Sequence, residues 1–284
     1  MTPHEEAPYL DYHVRWRAGP SRPGRHAARH GGSGGDFRAY RPFWQLPDAH
    51  RIDIRRSIID PFGDIVVRQT EQSSSVTVVL AADISRSMDF GSGGSSLAPL
   101  ATLGQAAARS ALRAGDAFGL VAFDRVVRDD VSLAPTRVRA AASECVAALR
   151  MLRPRGRCAD GIAQLASRLP ARRCLVLLAS DFLLPIDLLD TALAALARHD
   201  VAPIVLGAGS VQSVPRAGLV RLQDAETGRT RLLLMRPALH RRWREAERTR
   251  RETLDTLFRR HGRAAYHAAG RIDIAALSEH LMGG

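Results

Sequence analysis

Acidic and hydroxyl side chains follow two apolar runs of the sequence, at the points where buried strands would end. The first run, Val76–Ala82, leads into a D-x-S-x-S pattern, and the second, Cys174–Ala179, leads into a Ser-Asp pair. Carboxylate and hydroxyl oxygens are the hard donors that Mg²⁺ prefers, together with several waters. Ligands of an open α/β sheet bind beyond the carboxyl ends of its strands, so the two groups are expected to lie together. The expected ligands of a divalent cation are Asp83, Ser85, Ser87 and Asp181.

The same residues admit a purely structural interpretation. Ser85 and Ser87 could cap the helix that follows, and Asp83 could cap a turn, so the D-x-S-x-S pattern is weak by itself. Its position after one apolar run, with Ser-Asp after another, favours a metal-type site built into the fold. Whether an ion occupies the site, and whether that ion is Mg²⁺ or another divalent cation, stays open at the level of sequence.

The elements that would position these side chains form a regular pattern from residue 75 onward. Apolar runs alternate with Ala- and Leu-rich helical stretches, which is typical of strands buried on both faces of a parallel sheet. The predicted fold is therefore α/β and Rossmann-like, with a mostly parallel central sheet and helices on both faces. Strands are predicted at 76–82, 118–123, 174–179 and 201–206, and helices at 95–113, 137–152, 161–169 and 186–198.

Composition divides the chain into three predicted segments. Residues 1–35 are rich in Arg, Gly, Pro and His and are interpreted as a flexible arm. Residues 36–74 contain short apolar pieces and a turn at 60–63, which indicates one or two strands. Residues 75–284 are predicted to form the α/β domain. Its last part is predicted to contain a hairpin at 218–222 and 230–234, an Arg-rich helix at 237–261, a strand at 264–267 and a helix at 274–281.

Charge and cysteine content narrow the class of protein. The chain has 284 residues and a formal charge of +12, and its 41 basic residues are all Arg. Because the Arg is spread along the whole chain, a GC-rich genome explains it more simply than nucleic-acid binding, which stays an alternative. Three Cys without paired spacing argue against a disulfide framework or a zinc site. The sequence shows neither a signal peptide nor an apolar run long enough for a membrane span, so a cytoplasmic location is expected.

The D-x-S-x-S strand and its surroundings resemble a known family. The pattern is similar to the metal-ion-dependent adhesion site of the von Willebrand factor A fold. Three pieces in order resemble the bacterial domain of unknown function 58 family more closely: Arg51-Ile52-Asp53, the stretch 64–71 (DIVVRQTE), and the strand that runs into Asp83. The resemblance extends over roughly residues 36–282.

The resemblance implies a function in partnership. Proteins of this family look like partners of MoxR-type AAA+ ATPases, and the genes of the two proteins lie side by side. Together they are thought to form chaperone-like or maturation systems. One subset, the MxaS type, is linked to assembly of methanol dehydrogenase. The implied partner is therefore a MoxR-type AAA+ ATPase acting on a client protein. Residues beside the implied site that are expected to contact the partner are Arg86, Arg157 and Asp160.

Three departures from the family pattern matter. The acidic run that precedes Arg-x-Ile-Asp in the family is reduced to Leu46-Pro47-Asp48-Ala49 here. The Trp that follows Ile-Asp in the family is Ile54 here, and the Thr of the adhesion site falls on Cys158. A neutral thiol is a poor ligand for Mg²⁺. If Cys158 occupies the Thr position, the affinity for Mg²⁺ is expected to be low.

Three functions are consistent with these observations. The first is a non-enzymatic interaction module whose divalent ion accepts an acidic side chain of a partner. The second is a metal-dependent hydrolase that uses Asp83 and Asp181, although two-metal hydrolysis usually needs more carboxylates. The third is a basic nucleic-acid-binding protein, whose binding would depend steeply on salt.

Overall fold

The computed structural model of the protein describes residues 8–16, 23–27, 36–71, 73–89, 97–154, 156, 158–207, 215–223, 229–268 and 271–283. The chain forms two compact units. Residues 14–76 make up the N-terminal unit, and residues 77–284, together with the first thirteen residues, make up the α/β unit. The predicted division into segments at residues 35 and 74 stays a prediction.

The described residues of the N-terminal unit form two pairs of antiparallel strands. Three of these strands lie within residues 36–74, where one or two strands were predicted, and the fourth lies at 23–27, in the segment predicted as an arm. The strand β1 pairs with β4, and β2 pairs with β3 in a register that runs from Asp36 opposite Glu71 to Pro42 opposite Val66. A short helix, α1, begins after Asp53, whose carboxylate accepts a hydrogen bond from the Arg56 N–H. The bounds are β1 Pro23–Ala27, β2 Asp36–Pro42, α1 Ile54–Ile59, β3 Val66–Glu71 and β4 Ser73–Ser74.

The α/β unit has eight strands and six α-helices among its described residues. The predicted strands are all present, and the predicted hairpin is confirmed. The strands are β5 Thr77–Asp83, β6 Ala117–Phe123, β7 Leu133–Thr136, β8 Leu175–Ser180, β9 Asp200–Val205, β10 Gly218–Gln223, β11 Thr230–Met235 and β12 Tyr266–His267. The helices are α2 Ala98–Arg113, α3 Arg139–Met151, α4 Leu165–Arg168, α5 Ile186–Ala195, α6 Pro237–Arg260 and α7 Ile274–Gly283.

Six of these strands form one sheet in the order β12-β9-β8-β5-β6-β7. All neighbours run parallel except β7, which is antiparallel to β6 at the edge. Numbered along the chain, this is the 3-2-1-4-5-6 order of doubly wound folds. The predicted mostly parallel, Rossmann-like sheet is therefore confirmed. In such sheets the ligand crevice lies where the strand order reverses, which here is between β5 and β8.

The core lies on both faces of this sheet. Side chains of β5 alternate between the faces: Val79 belongs to a buried cluster with Leu189 of α5 and Phe258 of α6. Leu80 points to the other face, where an added Cβ on Gly104 of α2 would come within 3.2 Å of it. Burial on both sides explains why the strand sequences are almost uniformly apolar.

Two helices differ in form or length from their predictions. The segment predicted as a helix at 161–169 is a 3-10 helix over Asp160–Gln164 that continues into α4. The helix α5 ends at Ala195, three residues before the predicted end. In both places the sequence remains apolar and helix-compatible, so periodicity does not reveal the change of geometry.

The described residues 8–13 pack against the α/β unit, although residues 1–35 were interpreted as an arm. Leu10 is buried, and its N–H donates to the hydroxyl of Ser110 in α2 at 2.7 Å. The Tyr12 hydroxyl donates to Asp116 at 2.5 Å. Only tertiary structure supplies these partners, because they lie about one hundred residues further along the chain. Within the described part of the chain, no helix combines the length and apolar character that crossing a membrane requires.

Candidate metal centre

The two predicted carboxylates lie at the carboxyl ends of neighbouring parallel strands. Asp83 is the last residue of β5, and Asp181 directly follows the last residue of β8. Ala82 pairs with Ala179 in the register of these strands, so both acids lie on the same edge of the sheet. This edge is at the reversal of strand order. The structure therefore places the predicted acids where open α/β sheets bind ligands.

Hydrogen bonds hold the Asp83 carboxylate in one orientation. Its Oδ1 accepts the Ser85 N–H at 2.9 Å, and its Oδ2 accepts the Ser180 hydroxyl at 2.5 Å. The oxygen of Ser180 in turn accepts the Phe182 N–H at 2.9 Å. The hydroxyl oxygens of Ser85 and Ser87 are 3.0 Å apart. The D-x-S-x-S loop and the end of β8 are thus joined by one polar network.

Ionisation of both Asp83 and Asp181 at this edge is unfavourable in the absence of a cation. Burial raises the pKa of Asp83 to about 6, and the charge of Asp181 adds to the effect. Burial also raises the pKa of Asp181, while the Leu183 N–H and the Ser87 hydroxyl oppose the rise. The two like charges repel each other, and a bound cation would offset both the repulsion and the lost hydration. Carboxylate and hydroxyl oxygens are the donors that a hard cation requires, so these residues fit Mg²⁺.

The access of this network to solvent is uneven. Asp83 and Ser85 are buried, whereas Ser87 and Asp181 are partly exposed. In the described part of the chain, no group of three or more His, Cys, Asp and Glu side chains could hold a metal ion. A cation at this edge would therefore depend on the serine hydroxyls and on water for its remaining ligands.

The loop after Asp181 is held in a strained conformation by a residue far away in sequence. Phe182 is buried and has a φ of 52°, in the left-handed region that bulky residues rarely adopt. Its ring packs edge-on against Phe258, with 4.9 Å between centroids. The guanidinium of Arg250 donates to the carbonyls of Phe182 and Leu184. Arg250 also lowers the pKa of Asp181 through its charge. Sequence reasoning missed Arg250, because nothing in the pattern of α6 separates it from its exposed neighbours.

The loop between α3 and α4 covers the other side of the D-x-S-x-S turn. The Arg86 N–H donates to the Gly156 carbonyl at 2.8 Å, while the Arg86 side chain is exposed. The thiol of Cys158 donates to a carboxylate oxygen of Asp160 at 3.1 Å. The predicted partner-binding residue Arg157 lies outside the described residues. The structure thus brings Arg86 and this loop together, and it gives Cys158 a partner in Asp160.

A third carboxylate at the same edge was missed. Asp124 directly follows β6, the neighbour of β5, and is buried. The rule of strand ends that identified Asp83 applies to Asp124 equally well, so the signal was present. Its Oδ2 receives the Arg128 guanidinium at 3.3 Å, and its Oδ1 accepts the Val126 N–H at 3.3 Å. Because Arg128 already compensates its charge, we do not count Asp124 among the ligands.

Gly161 packs so closely against the loop after β6 that Gly161→Ala is expected to destabilise the protein by about 1–3 kcal/mol. A Cβ there would lie 2.7 Å from the Asp124 carbonyl oxygen and from the Val126 carbonyl carbon, both backbone atoms. Urea unfolding would measure the change. The matched control is Gly283→Ala, since a Cβ at that helical position meets nothing within 4 Å. Equal losses in the two variants would contradict this account.

The sequence matches a protein family and a relative of known sequence. A family described as "Protein of unknown function DUF58" matches residues 40–253. A relative from Paracoccus denitrificans, described as "Uncharacterized protein in moxR 3'region", is 39% identical over 99 residues, which is 34% of this chain and 94% of the relative.

Two solved structures from Bacteroides are more distant. The conserved hypothetical protein BatB from Bacteroides thetaiotaomicron is 15% identical with a TM-score of 0.43, over 73% of this chain and 97% of that chain. An aerotolerance-related membrane protein from Bacteroides fragilis is 15% identical with a TM-score of 0.39, over 73% and 98% of the two chains. Likenesses this low carry no functional argument, so what the site does must be inferred from its own residues.

Proposed function

Because the chain belongs to the DUF58 family, we propose that it is a non-enzymatic interaction module that works with a MoxR-type AAA+ ATPase in the maturation of a client protein. The description of the Paracoccus relative, which places it in a moxR 3' region, supports this choice of partner. The observation that carries the proposal is the paired carboxylates Asp83 and Asp181 at the switch point of the sheet, each with a raised pKa.

Each residue of the site has a distinct part in this proposal. Asp83 and Asp181 supply negative charge, and Ser85 and Ser87 supply neutral oxygens, so these four would hold Mg²⁺ or another divalent cation. When bound, the ion would supply a positive centre with a coordination position open to a carboxylate of the partner. Ser180 orients the Asp83 carboxylate through a hydrogen bond of 2.5 Å. Arg250 positions the loop that carries Asp181 by bonding the Leu184 carbonyl at 2.8 Å.

The surroundings of the site would decide which partner atoms can reach it. Asp83 is fully buried, so a partner approaches over Asp181 and Ser87, which are partly exposed. Exposed Arg86 and Asp160 flank this approach, and we propose that they contact the partner with Arg157. We propose methanol dehydrogenase as one candidate client.

Replacing Cys158 by Thr is expected to raise the affinity for Mg²⁺ several-fold if residue 158 contacts the ion, because a hydroxyl is a harder ligand than a neutral thiol. Calorimetric titration of wild type and Cys158→Thr measures the change. The control is Cys145→Ser, because the Cys145 thiol donates to the Val131 carbonyl at 3.6 Å and contacts none of the proposed ligands there. Equal affinities for wild type and Cys158→Thr would mean that the residue does not face the ion and keeps only its contact with Asp160.

The proposal as a whole is tested by the dependence of ATPase binding on the ion. Binding that requires Asp83 and is lost on chelation supports the module, and turnover of a phosphoester or peptide substrate that depends on the same residue would favour a hydrolase instead.

A further inference from the structure

The hairpin of β10 and β11 presents an apolar face that no described residue covers. The register pairs Leu219 with Leu234 and Arg221 with Leu232. Directly opposed residues of an antiparallel pair, and residues two apart on one strand, share a face. The three leucines of this face are 53–70% exposed, and Arg221 is exposed as well. An isolated two-stranded hairpin is only marginally stable in water, so such a face gains from being covered.

Both outer edges of the hairpin are unpaired among the described residues. Within the part of the chain that the structure describes, its sheet contains only β10 and β11. An unpaired edge exposes a row of N–H and C=O groups that can accept an additional strand. Leu219 and Arg221 are two residues apart on β10 and lie on the same exposed face. This edge therefore combines backbone hydrogen-bonding groups with one apolar and one positively charged side chain.

The surrounding chain is strongly basic. Residues 215–251 contain eleven Arg and four acidic residues, a net charge of +7 out of +12 for the whole chain. The helix α6 begins two residues after β11, and Arg241, Arg242 and Arg244 in its first turns are exposed. In the first seventeen of the 24 residues of α6 only His240 is buried, so this part of the helix has little apolar packing. Apart from Arg250, which bonds the loop after β8, these Arg side chains therefore serve solubility or an acidic partner rather than the core.

From the free edge and the charge, we propose that β10 is a docking edge for an extended acidic segment of a partner protein, added as a third strand. Side chains two apart on that segment would lie opposite Leu219 and Arg221, so the segment would carry an apolar and an acidic residue in Φ-x-Glu or Glu-x-Φ spacing. This surface is distinct from the metal centre and does not depend on an ion.

Strand addition explains the hairpin better than a nucleic acid or a membrane surface. The exposed face contains leucines and no aromatic ring among its described side chains, whereas single-stranded nucleic acids are bound by stacking on aromatic residues. A lipid surface would satisfy the leucines and the Arg charge but not the backbone groups of the free edge. Both alternatives become outcomes of the experiment.

The probe is a fluorescein-labelled peptide, Thr-Val-Thr-Glu-Thr-Val-Thr-Glu-Thr, whose binding to the full chain is followed by fluorescence anisotropy. Leu219→Ser and Arg221→Glu are each expected to weaken binding roughly tenfold or more, because one removes an apolar contact and the other reverses a charge. The matched control is Arg172→Glu, an exposed Arg in the turn before β8, which should bind the peptide like wild type. Thermal melts of the variants verify that the exposed substitutions leave the fold intact.

Further arms separate this proposal from its rivals and from the metal-centre proposal. A peptide with Lys in place of Glu, and one N-methylated along the backbone, should both fail to bind. Addition of EDTA, and the Asp83→Asn variant, should leave peptide binding unchanged, so failure of the metal centre would not imply failure here. The proposal is overturned if the hairpin variants bind the peptide like wild type, or if the N-methylated peptide binds equally. It is also overturned if short single-stranded DNA or phosphatidylglycerol vesicles bind in an Arg221-dependent manner while the peptide does not.

Discussion

Asp83→Asn is expected to abolish the proposed metal-dependent binding of a MoxR-type ATPase while leaving the fold intact. Asn is preferred to Ala because Asp83 is fully buried and accepts hydrogen bonds from the Ser85 N–H and the Ser180 hydroxyl. An Ala would leave both donors unpaired inside the protein, at about 1–3 kcal/mol each. The amide keeps the shape and one acceptor but removes the charge, and serine hydroxyls alone do not hold Mg²⁺ against water.

A pull-down with purified ATPase, with and without EDTA and at two salt concentrations, measures this effect. Chelation of the wild-type protein should reproduce the loss seen with Asp83→Asn, and moderate salt should matter little. The matched control is Asp187→Asn, which removes an exposed carboxylate at the start of α5 and should bind like wild type. If the variant and EDTA both leave binding intact while salt abolishes it, the contact is made by exposed Arg side chains such as those of residues 215–251, and the metal mechanism is wrong.

Asp83→Asn is also expected to change how the stability of the metal-free protein depends on pH. Because the pKa of Asp83 in the folded protein is raised from 3.8 to about 6, the folded state binds a proton more tightly than the unfolded state. The stability of the metal-free protein therefore falls as pH rises from about 4 to about 6. Asp83→Asn removes this dependence, so in EDTA at neutral pH the variant should melt no lower than wild type. A clear loss of melting temperature would mean that the carboxylate itself holds the loop.

Asp200→Ala is expected to destabilise the protein by about 3–5 kcal/mol, since it leaves a buried guanidinium without its counter-charge. Arg263 binds both carboxylate oxygens of Asp200 at 2.8 Å, and the two side chains are 3% and 5% exposed. The same guanidinium donates to the carbonyl of His13 at 2.9 Å and to that of Leu281 at 3.4 Å. The Asp200–Arg263 pair thus connects the start of β9 to the backbone at His13 and at Leu281.

Urea unfolding of a double-mutant cycle tests this assignment. Combining Asp200→Ala with Arg263→Met should recover part of the loss, because no buried charge is then left unpaired. The control pair is Arg168 and Asp129, 3.1 Å apart and exposed, where Asp129→Ala should cost less than about 1 kcal/mol. Strictly additive losses at Asp200 and Arg263 would show that the two side chains act independently.

The strand ends of the sheet could be predicted because burial leaves a signal in the sequence. A strand covered on both faces must be apolar at every position, so β5, β6, β8 and β9 are recognisable as runs, and the first polar residue after each run marks its end. That rule located Asp83 directly, and it located Asp181 through Ser180, the first polar residue after the 174–179 run. The same rule applies to Asp124, whose pairing with Arg128 only the structure reveals.

The N-terminal unit was predicted less well, for a physical reason. Among the described residues, β2 and β3 pair only with each other in a two-stranded sheet, so their sequences lack the continuous apolar runs of buried strands. The helix α1 has no buried residue and is recognisable mainly by its cap at Asp53. Short elements with little burial leave little periodicity from which to predict them.

The sequence by itself determined the class of the fold and the two acids of the candidate site, since both follow from where apolar runs stop. Tertiary structure alone decided which distant groups complete the site: Ser180 on Asp83, Arg250 on the strained loop at Phe182, and the loop at Gly156 over the D-x-S-x-S turn. These contacts join residues separated by about seventy to one hundred positions. Local propensity acts over a turn of helix or a few residues of strand, so no pattern in the sequence encodes which of many Arg side chains reaches one particular carbonyl.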